Sequence, residues 1–183
     1  MDGHFTGYAS LFGVPDLGRD VVAPGAFAAS LRARGDSGVR MLWQHDPAEP
    51  VGRWLSLTED ARGLRVAGQL NLAVQRAREL DALLREGALD GLSIGFRTVR
   101  ASPDRGGLRR LHSLDLWEIS LVTFPLQPGA RIAAKSAPSE SLPSESLPLA
   151  QALHAFARRV APARAHPSTR PVAAPSPRAK RFA

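Results

Sequence analysis

Two neighbouring segments with a two-residue hydrophobic period constrain the fold more than any other feature. Residues 51–58 alternate, with Val51, Arg53, Leu55 and Leu57 on one side and Gly52, Trp54 and Ser56 on the other. Residues 64–70 continue in a β-prone pattern. Between them lies Glu-Asp-Ala-Arg-Gly, a composition typical of a turn. A two-residue period predicts strands, and a short turn between two strands predicts an antiparallel hairpin. The chain is therefore expected to fold around this antiparallel pair.

Most of the chain before residue 132 also has strand character. Two helices interrupt it: one is predicted to open at Pro24 and stop at Gly35, and one to cover residues 72–86 with Asn71 and Gly87 as caps. Hairpins without regular strand–helix–strand repeats predict a mainly β fold with flanking helices, of the α+β class, built on an antiparallel sheet or β-barrel. Further strands are predicted at residues 3–12, 39–44, 94–100, 108–116 and 116–124.

The composition changes after Ile132. Residues 133–183 are rich in Ala, Pro, Ser and Arg, and contain Pro-Ser-Glu-Ser-Leu twice. They carry eight Lys or Arg and two acidic residues, a net charge of +6, whereas residues 1–132 carry 16 and 15, a net charge of +1. We therefore predict a folded domain at 1–132 and a disordered, flexible tail at 133–183, with a short helix at 149–160. Because the excess charge lies in the tail, no specific nucleic-acid partner is predicted.

Missing residue types and patterns exclude several function classes. The chain has no cysteine, which excludes disulfides, thiolate metal sites and a cysteine nucleophile. No apolar run reaches the roughly 18 residues of a membrane-spanning helix, and the first residues lack the pattern of a signal peptide, so we expect an intracellular, soluble protein. His45, Asp46 and Glu49 lack the two-histidine spacing of zinc proteases, and no metal or cofactor is expected.

A serine between two glycines is the strongest candidate for chemistry. Gly91-Leu92-Ser93-Ile94-Gly95 matches the G-x-S-x-G pattern of α/β-hydrolases, which requires a strand before the serine and a helix after it. Here a helical pattern precedes Ser93 and a strand pattern follows it, so the hydrolase elbow is rejected. Two interpretations stay open from these residues alone: Ser93 is a nucleophile, or it is a buried serine in a glycine-rich strand.

A serine nucleophile needs a base, and the base needs an orienting group. His45 follows a predicted strand and precedes a loop that Pro47 and Pro50 are expected to keep irregular. Glu118 and Ser120 share one face of a predicted strand, with Trp117, Ile119 and Leu121 on the other. Glu118 could orient His45, lie on an exposed strand face or form a salt bridge with an arginine. A lone histidine after a strand is more often structural than catalytic, so both interpretations of His45 stay open.

Several sequence blocks, in order, resemble the HK97-type prohead (capsid maturation) proteases of tailed phages. The resemblance covers about residues 5–132 and is more specific than any single motif. The blocks are GYASLF at 7–12, DVVAPGAF at 20–27, LWQHD at 42–46, PVGRW at 50–54, LLREGALDGLSIGF at 83–96 and WEISLVTFP at 117–125.

The resemblance implies a serine endopeptidase with a fold similar to the herpesvirus assemblins, which are β-barrels wrapped by helices. It implies His45 as general base and Ser93 as nucleophile, since both fall in matching blocks. Herpesvirus relatives use a second histidine as the third catalytic residue, and at the matching block this chain has Glu118, with Asp115 as the alternative. Backbone N–H groups around residues 129–131 are the implied oxyanion donors.

The resemblance also implies a substrate and a place of action. The substrate would be the scaffolding segment of the major capsid protein, cut inside the assembling prohead shell in the cytoplasm of a bacterial host. The tail would be a self-cleaved segment or an anchor to the shell. Assemblins act as dimers, so a homodimer is a candidate assembly. The competing hypotheses are a non-catalytic capsid assembly or scaffolding protein with the same fold, and an esterase-like hydrolase.

Overall fold

The computed structural model describes residues 3–135, which form a single curled sheet with two helices. The predicted tail, with its helix at 149–160, lies outside the described residues. The strands are β1 His4–Leu11, β2 Asp20–Val22, β3 Arg40–Trp43, β4 Asp46–Glu59, β5 Gly63–Leu70, β6 Gly91–Asp104, β7 Leu108–Val122 and β8 Ile132–Lys135. The helices are α1 Ala28–Arg34 and α2 Gln75–Glu86, and single 3₁₀ turns lie at Asp36–Gly38 and Arg105–Gly107.

The sheet is mixed, and the prediction of an antiparallel sheet was wrong in this respect. Its order is β2-β7-β3-β4-β5-β1-β8, and β6 pairs with β7. The predicted hairpin of β4 and β5 is antiparallel, but β2 and β3 both run parallel to β7. Parallel pairs require long connections, and a hydrophobic period carries no information about the direction of a strand that pairs at a distance.

The curl brings the last strand of the sheet close to β6. The N–H of Leu92 donates to the carbonyl of Ala130 at 3.0 Å, and the N–H of Ile132 donates to that of Asp90 at 2.8 Å. The segment before β8 is thus hydrogen-bonded to the start of β6. The strand β8 continues to Lys135, past the predicted domain end at Ile132, because it pairs with β1.

The core is built from side chains of the sheet and of the segments that carry the two helices. Its side chains are apolar and almost fully excluded from solvent, so each stabilises the fold by about 1.5–3 kcal/mol relative to exposure. Phe5 and Trp54 meet edge to face, with ring centroids 5.8 Å apart. The largest fully buried side chains are Phe5, Phe27, Met41, Val51, Leu64, Leu80, Leu92, Leu111, Leu114, Leu116, Ile119 and Leu121.

Several local predictions differ from the structure. The alternation predicted for residues 51–58 is interrupted by a register shift between Trp54 and Ser56, so that Trp54 is buried and Leu55 is 43% exposed. The first helix begins at Ala28 rather than at Pro24.

The second helix begins at Gln75, because Asn71 instead closes a turn before it: the Asn71 side chain accepts from the N–H of Ala73 at 3.1 Å. Gly87 does end the helix in a left-handed conformation, as predicted. Pro47 and Pro50 lie inside β4 rather than in an irregular loop. They are tolerated since this part of β4 pairs with β3 alone, and a strand edge without a partner needs no N–H donor.

Candidate functional site

The pairing of β6 with β7 fixes the position of Ser93. Ser93 lies opposite Ser120, and Gly95 lies opposite Glu118, so these four residues share one face of the strand pair. Ser93 is 8% exposed and lies within a strand, not at a strand-to-helix turn. A side chain at position 95 would overlap the Glu118 carboxylate. The second glycine of the motif therefore makes room for an acid beside the serine.

His45 is held by a tight turn between β3 and β4. Trp43 pairs with Asp46, which leaves Gln44 and His45 as a two-residue hairpin loop. Both have positive φ, 51° and 61°, the combination that two-residue hairpins favour and that usually requires Asn or Gly. Each non-glycine residue in this region costs on the order of 1 kcal/mol. Strain of this kind persists only where surrounding contacts fix the turn.

The contacts that fix this turn come from β7 and the residue after it. The backbone N–H of Gln44 donates to the carbonyl of Leu121 at 3.0 Å, and its side chain donates to Thr123 Oγ1 at 2.8 Å. The backbone N–H of His45 donates to Ser120 Oγ at 3.0 Å. The histidine is therefore attached to the strand that lies beside Ser93.

Glu118 engages His45 directly. Glu118 Oε1 lies 2.5 Å from His45 Nδ1, and Glu118 Oε2 accepts from Ser120 Oγ at 2.7 Å. The hydrogen bond to Glu118 raises the pKa of His45 above its ordinary value of 6.5, and burial opposes this rise. A proton on Nδ1 that is shared with a carboxylate leaves the Nε2 lone pair available as a base.

Asp115, the alternative acid, is engaged elsewhere. Its Oδ1 accepts from Arg34 at 2.8 Å, and its Oδ2 accepts from the indole N–H of Trp117 at 2.9 Å. These two contacts, the bond from Trp117 first, lower the pKa of Asp115. The geometry thus pairs His45 with Glu118 and not with Asp115.

A β-bulge explains why Trp117 does not lie with Ile119 and Leu121, as the alternation predicted. Gly95 pairs with Glu118 and Phe96 pairs with Leu116, so Trp117 is the extra residue. The bulge turns Trp117 outward, where it is 50% exposed, while Ile119 and Leu121 are fully buried. Bulges are common beside active sites, where they redirect a side chain.

The serine and the histidine are not hydrogen-bonded to each other in this structure. Within residues 3–135, neither Ser93 Oγ nor His45 Nε2 has a hydrogen-bond partner. The two residues nevertheless both lie next to Ser120. Ser93 pairs with Ser120 across the two strands, and the backbone N–H of His45 donates to Ser120 Oγ. Catalytic hydrogen bonds often close only when substrate binds.

A serine–histidine side-chain contact elsewhere in the sheet was missed by sequence reasoning. Ser102 Oγ lies 2.8 Å from His112 Nε2 near the tip of the β6–β7 hairpin. No described residue hydrogen-bonds to Nδ1 of His112, so this histidine lacks an orienting acid. Counting residues outward from the turn at Arg105–Gly107 would have placed the two on neighbouring strands.

No three His, Asp or Glu side chains among residues 3–135 lie where they could hold a metal ion. In that range no helix has the length and apolar character needed to cross a membrane.

A buried strand serine and a histidine with an acid on Nδ1 are groups of the kind that serine hydrolases use. The family model of the caudovirus prohead serine proteases matches residues 1–144. The chain belongs to this family.

The chain is also similar to individual proteins, to one in sequence and to two others in fold. The prohead protease of Enterobacteria phage HK97 is 39% identical over 137 residues, 72% of this chain and 60% of that protein. Among solved structures, KSHV protease in complex with a hexapeptide phosphonate inhibitor has a TM-score of 0.52 at 16% identity, covering 73% of this chain and 64% of that one. The bacteriophage T4 capsid assembly protease also has a TM-score of 0.52, at 10% identity, covering 65% and 80%. The chain thus shares their fold, and it spans less than two thirds of the HK97 and KSHV proteins.

Proposed function

We propose that this protein is a serine endopeptidase that matures a phage-like prohead, with Ser93 as nucleophile, His45 as general base and Glu118 as the orienting acid. The observation that carries the proposal is the contact of Glu118 Oε1 with His45 Nδ1 at 2.5 Å, beside the strand that holds Ser93. Membership of the prohead serine protease family supports the same reading.

The proposed reaction is acyl transfer to the serine. Nε2 of His45 takes the Ser93 proton as Oγ attacks the carbonyl carbon of a peptide bond. The resulting imidazolium is stabilised by the Glu118 carboxylate. The same proton then passes to the amine as the peptide C–N bond breaks, which leaves an acyl–serine ester. Water hydrolyses this ester in a second cycle, with His45 again as base, and releases the acid and the free serine.

The oxyanion donors are proposed from the segment that lies beside β6. Of the three N–H groups at 129–131, that of Ala130 is already used, since it donates to the carbonyl of Gln127 at 2.9 Å. The N–H groups of Gly129 and Arg131 remain the candidates. This segment is hydrogen-bonded to Leu92, the residue before Ser93, which supports its role near a substrate carbonyl.

The proposed substrate is the scaffolding segment of the major capsid protein, together with the enzyme's own residues beyond 132. The HK97 relative is named a prohead protease, which supports a site of action inside the prohead. An extended segment suits an endopeptidase, because the substrate backbone must lie open to Ser93. Anchoring of residues 133–183 to the shell, and a homodimer, belong to the same proposal.

Coexpression with the cognate capsid protein tests the function, with intact mass of both chains as the measurement. We expect the wild-type chain to shorten the capsid protein and itself, and Ser93→Ala to leave both intact. Ser102→Ala is the matched control, since it removes the other serine that lies near a histidine on the same hairpin. Equal cutting by wild type and Ser93→Ala would contradict the proposal. Intact chains in all samples would favour a non-catalytic assembly protein.

A further inference from the structure

One buried hydroxyl links the base, the acid and the strand opposite the nucleophile. Ser120 is 0% exposed and lies across from Ser93. Its Oγ accepts from the backbone N–H of His45 at 3.0 Å and donates to Glu118 Oε2 at 2.7 Å. Glu118 Oε1 meets His45 Nδ1 at 2.5 Å. These three contacts close a ring from the His45 backbone through Ser120 and Glu118 to the His45 side chain.

The direction of each hydrogen bond in the ring is set by chemistry. An ionised carboxylate only accepts, so the single hydroxyl proton of Ser120 points to Glu118. The oxygen lone pairs of Ser120 are then left for the backbone N–H of His45. The ring thereby occupies both carboxylate oxygens and holds the carboxylate against Nδ1, which keeps the proton there and leaves the Nε2 lone pair free to act as a base.

The ring also fixes a strained turn. His45 has φ 61°, in the left-handed region that non-glycine residues adopt only when held there. Without the Ser120 hydroxyl, the His45 N–H loses its acceptor and Glu118 loses one of its two donors. The carboxylate would be free to rotate away from Nδ1, and the turn would lose one of the contacts that fix it to β7.

We propose that Ser120 is a positioning residue that holds His45 and Glu118 in register with Ser93, an inference that rests on the proposed function. Ser120 itself is not the nucleophile, because it is fully buried and its proton is bound to Glu118. Removal of the Ser120 hydroxyl should loosen both His45 and Glu118, although Ser120 itself does not contact the substrate.

The other charged groups near the ring form hydrogen bonds with backbone groups outside it. Asp46 turns its Oδ1 to the N–H of Ala48 at 2.8 Å, and Arg40, opposite Glu118 on β3, donates to the carbonyl of Ser37 at 3.2 Å. Among the described residues, Glu118 is the charged group that shifts the pKa of His45. The titration of His45 therefore reports the state of the ring.

The test is an NMR titration of the His45 ring in the full chain carrying Ser93→Ala, which prevents self-cleavage. His45→Gln assigns the signal among the five histidines. We expect Ser120→Ala to lower the pKa of His45 towards 6.5, because Glu118 is released. Ser30→Ala is the matched control: Ser30 is also a buried serine that accepts from β7, at the N–H of Leu116, and its loss should leave the titration unchanged.

Kinetics with an active Ser93 give the second readout. We expect Ser120→Ala to lower kcat/KM about 10–100-fold, the usual effect of losing a group that orients a functional side chain. Ser120→Thr keeps the hydroxyl and should restore most of the rate. If Ser120→Ala does not fold, Ser120→Cys, of similar size but a weak donor, takes its place in both experiments.

The outcomes separate this inference from the proposed function. Superimposable His45 titrations for Ser120→Ala and Ser30→Ala, or a threonine variant as slow as the alanine variant, would overturn the role of Ser120. If Ser120→Ala shifts the His45 titration but the active chain cleaves nothing, the role of Ser120 is supported and the proposed peptidase function is contradicted.

Discussion

Each end of the β6–β7 hairpin has a serine with a histidine in its neighbourhood, and the two pairs lack different hydrogen bonds. Near the tip, Ser102 is within 2.8 Å of His112, but no described residue orients that histidine. Near the other end, His45 is held by Glu118 and by Ser120, but its Nε2 is not bonded to Ser93.

The difference shows which part of a catalytic site a fold must build. The hydrogen bond between a catalytic serine and its base is often formed only in the substrate complex, so its absence here does not count against Ser93 and His45. An acid on Nδ1 cannot be supplied by a small rotation, because it requires a strand partner in the correct register. The arrangement around His45 is therefore the one that favours catalysis.

Replacement of each histidine should give the largest difference in activity between the two ends of the hairpin. We expect His45→Ala to lower kcat on the capsid substrate by at least about 10³-fold, since the proton of Ser93 then has no acceptor. His112→Ala should leave kcat within about twofold. Cleavage rates of the two purified variants, followed by intact mass, would reverse this order if Ser102 and His112 were the catalytic pair.

Replacement of Glu118 should lower kcat more than replacement of Asp115, with a smaller difference than between the two histidines. We expect Glu118→Gln to lower kcat about 10²–10⁴-fold, because an amide at Nδ1 cannot stabilise the imidazolium and favours the wrong tautomer. Asp115→Asn breaks the contacts to Arg34 and Trp117, and should change thermal stability more than kcat. Measurement of kcat and of Tm for both variants separates them. A larger loss of kcat in Asp115→Asn would make Asp115 the third catalytic residue.

The smallest effect is the pH dependence of stability. The pKa of His45 in the folded protein is raised above 6.5 by Glu118. The pair therefore contributes stability that is fully present below about pH 6.5 and is lost as the pH rises through the raised pKa. We expect the Tm of the wild type to exceed that of His45→Gln, and this difference to be larger at pH 5.5 than at pH 8.5. The effect should be modest, because the His45 side chain is 42% exposed. An equal difference at both values would contradict the pairing.

The sequence predicted the elements of this fold better than their arrangement. The β4–β5 hairpin, the strand that follows Ser93 and the end of α2 at Gly87 follow local rules and were confirmed. The parallel pairing of β2 and β3 with β7 could not be read from alternation, since nothing local sets the direction of distant strands.

Prediction of the site had the same limit. Glu118 and Ser120 were placed on one strand face, but alternation could not identify their partner, because His45 is 73 residues from Glu118 in the chain. The outward turn of Trp117 depends on a bulge, which needs both strands to be seen at once. The family resemblance supplied His45, Ser93 and Glu118 together, and the roles of these residues stay predictions.

The central claim is that Ser93, and not Ser102, is the activated hydroxyl of this hairpin. Reaction of the full chain with a peptidyl phosphonate ester, followed by peptide mapping of the adduct, tests it most directly, because only an activated serine attacks such a phosphorus centre. We expect the adduct on Ser93, its loss in Ser93→Ala and His45→Ala, and its retention in Ser102→Ala. An adduct on Ser102, or one that persists in Ser93→Ala, would contradict the account.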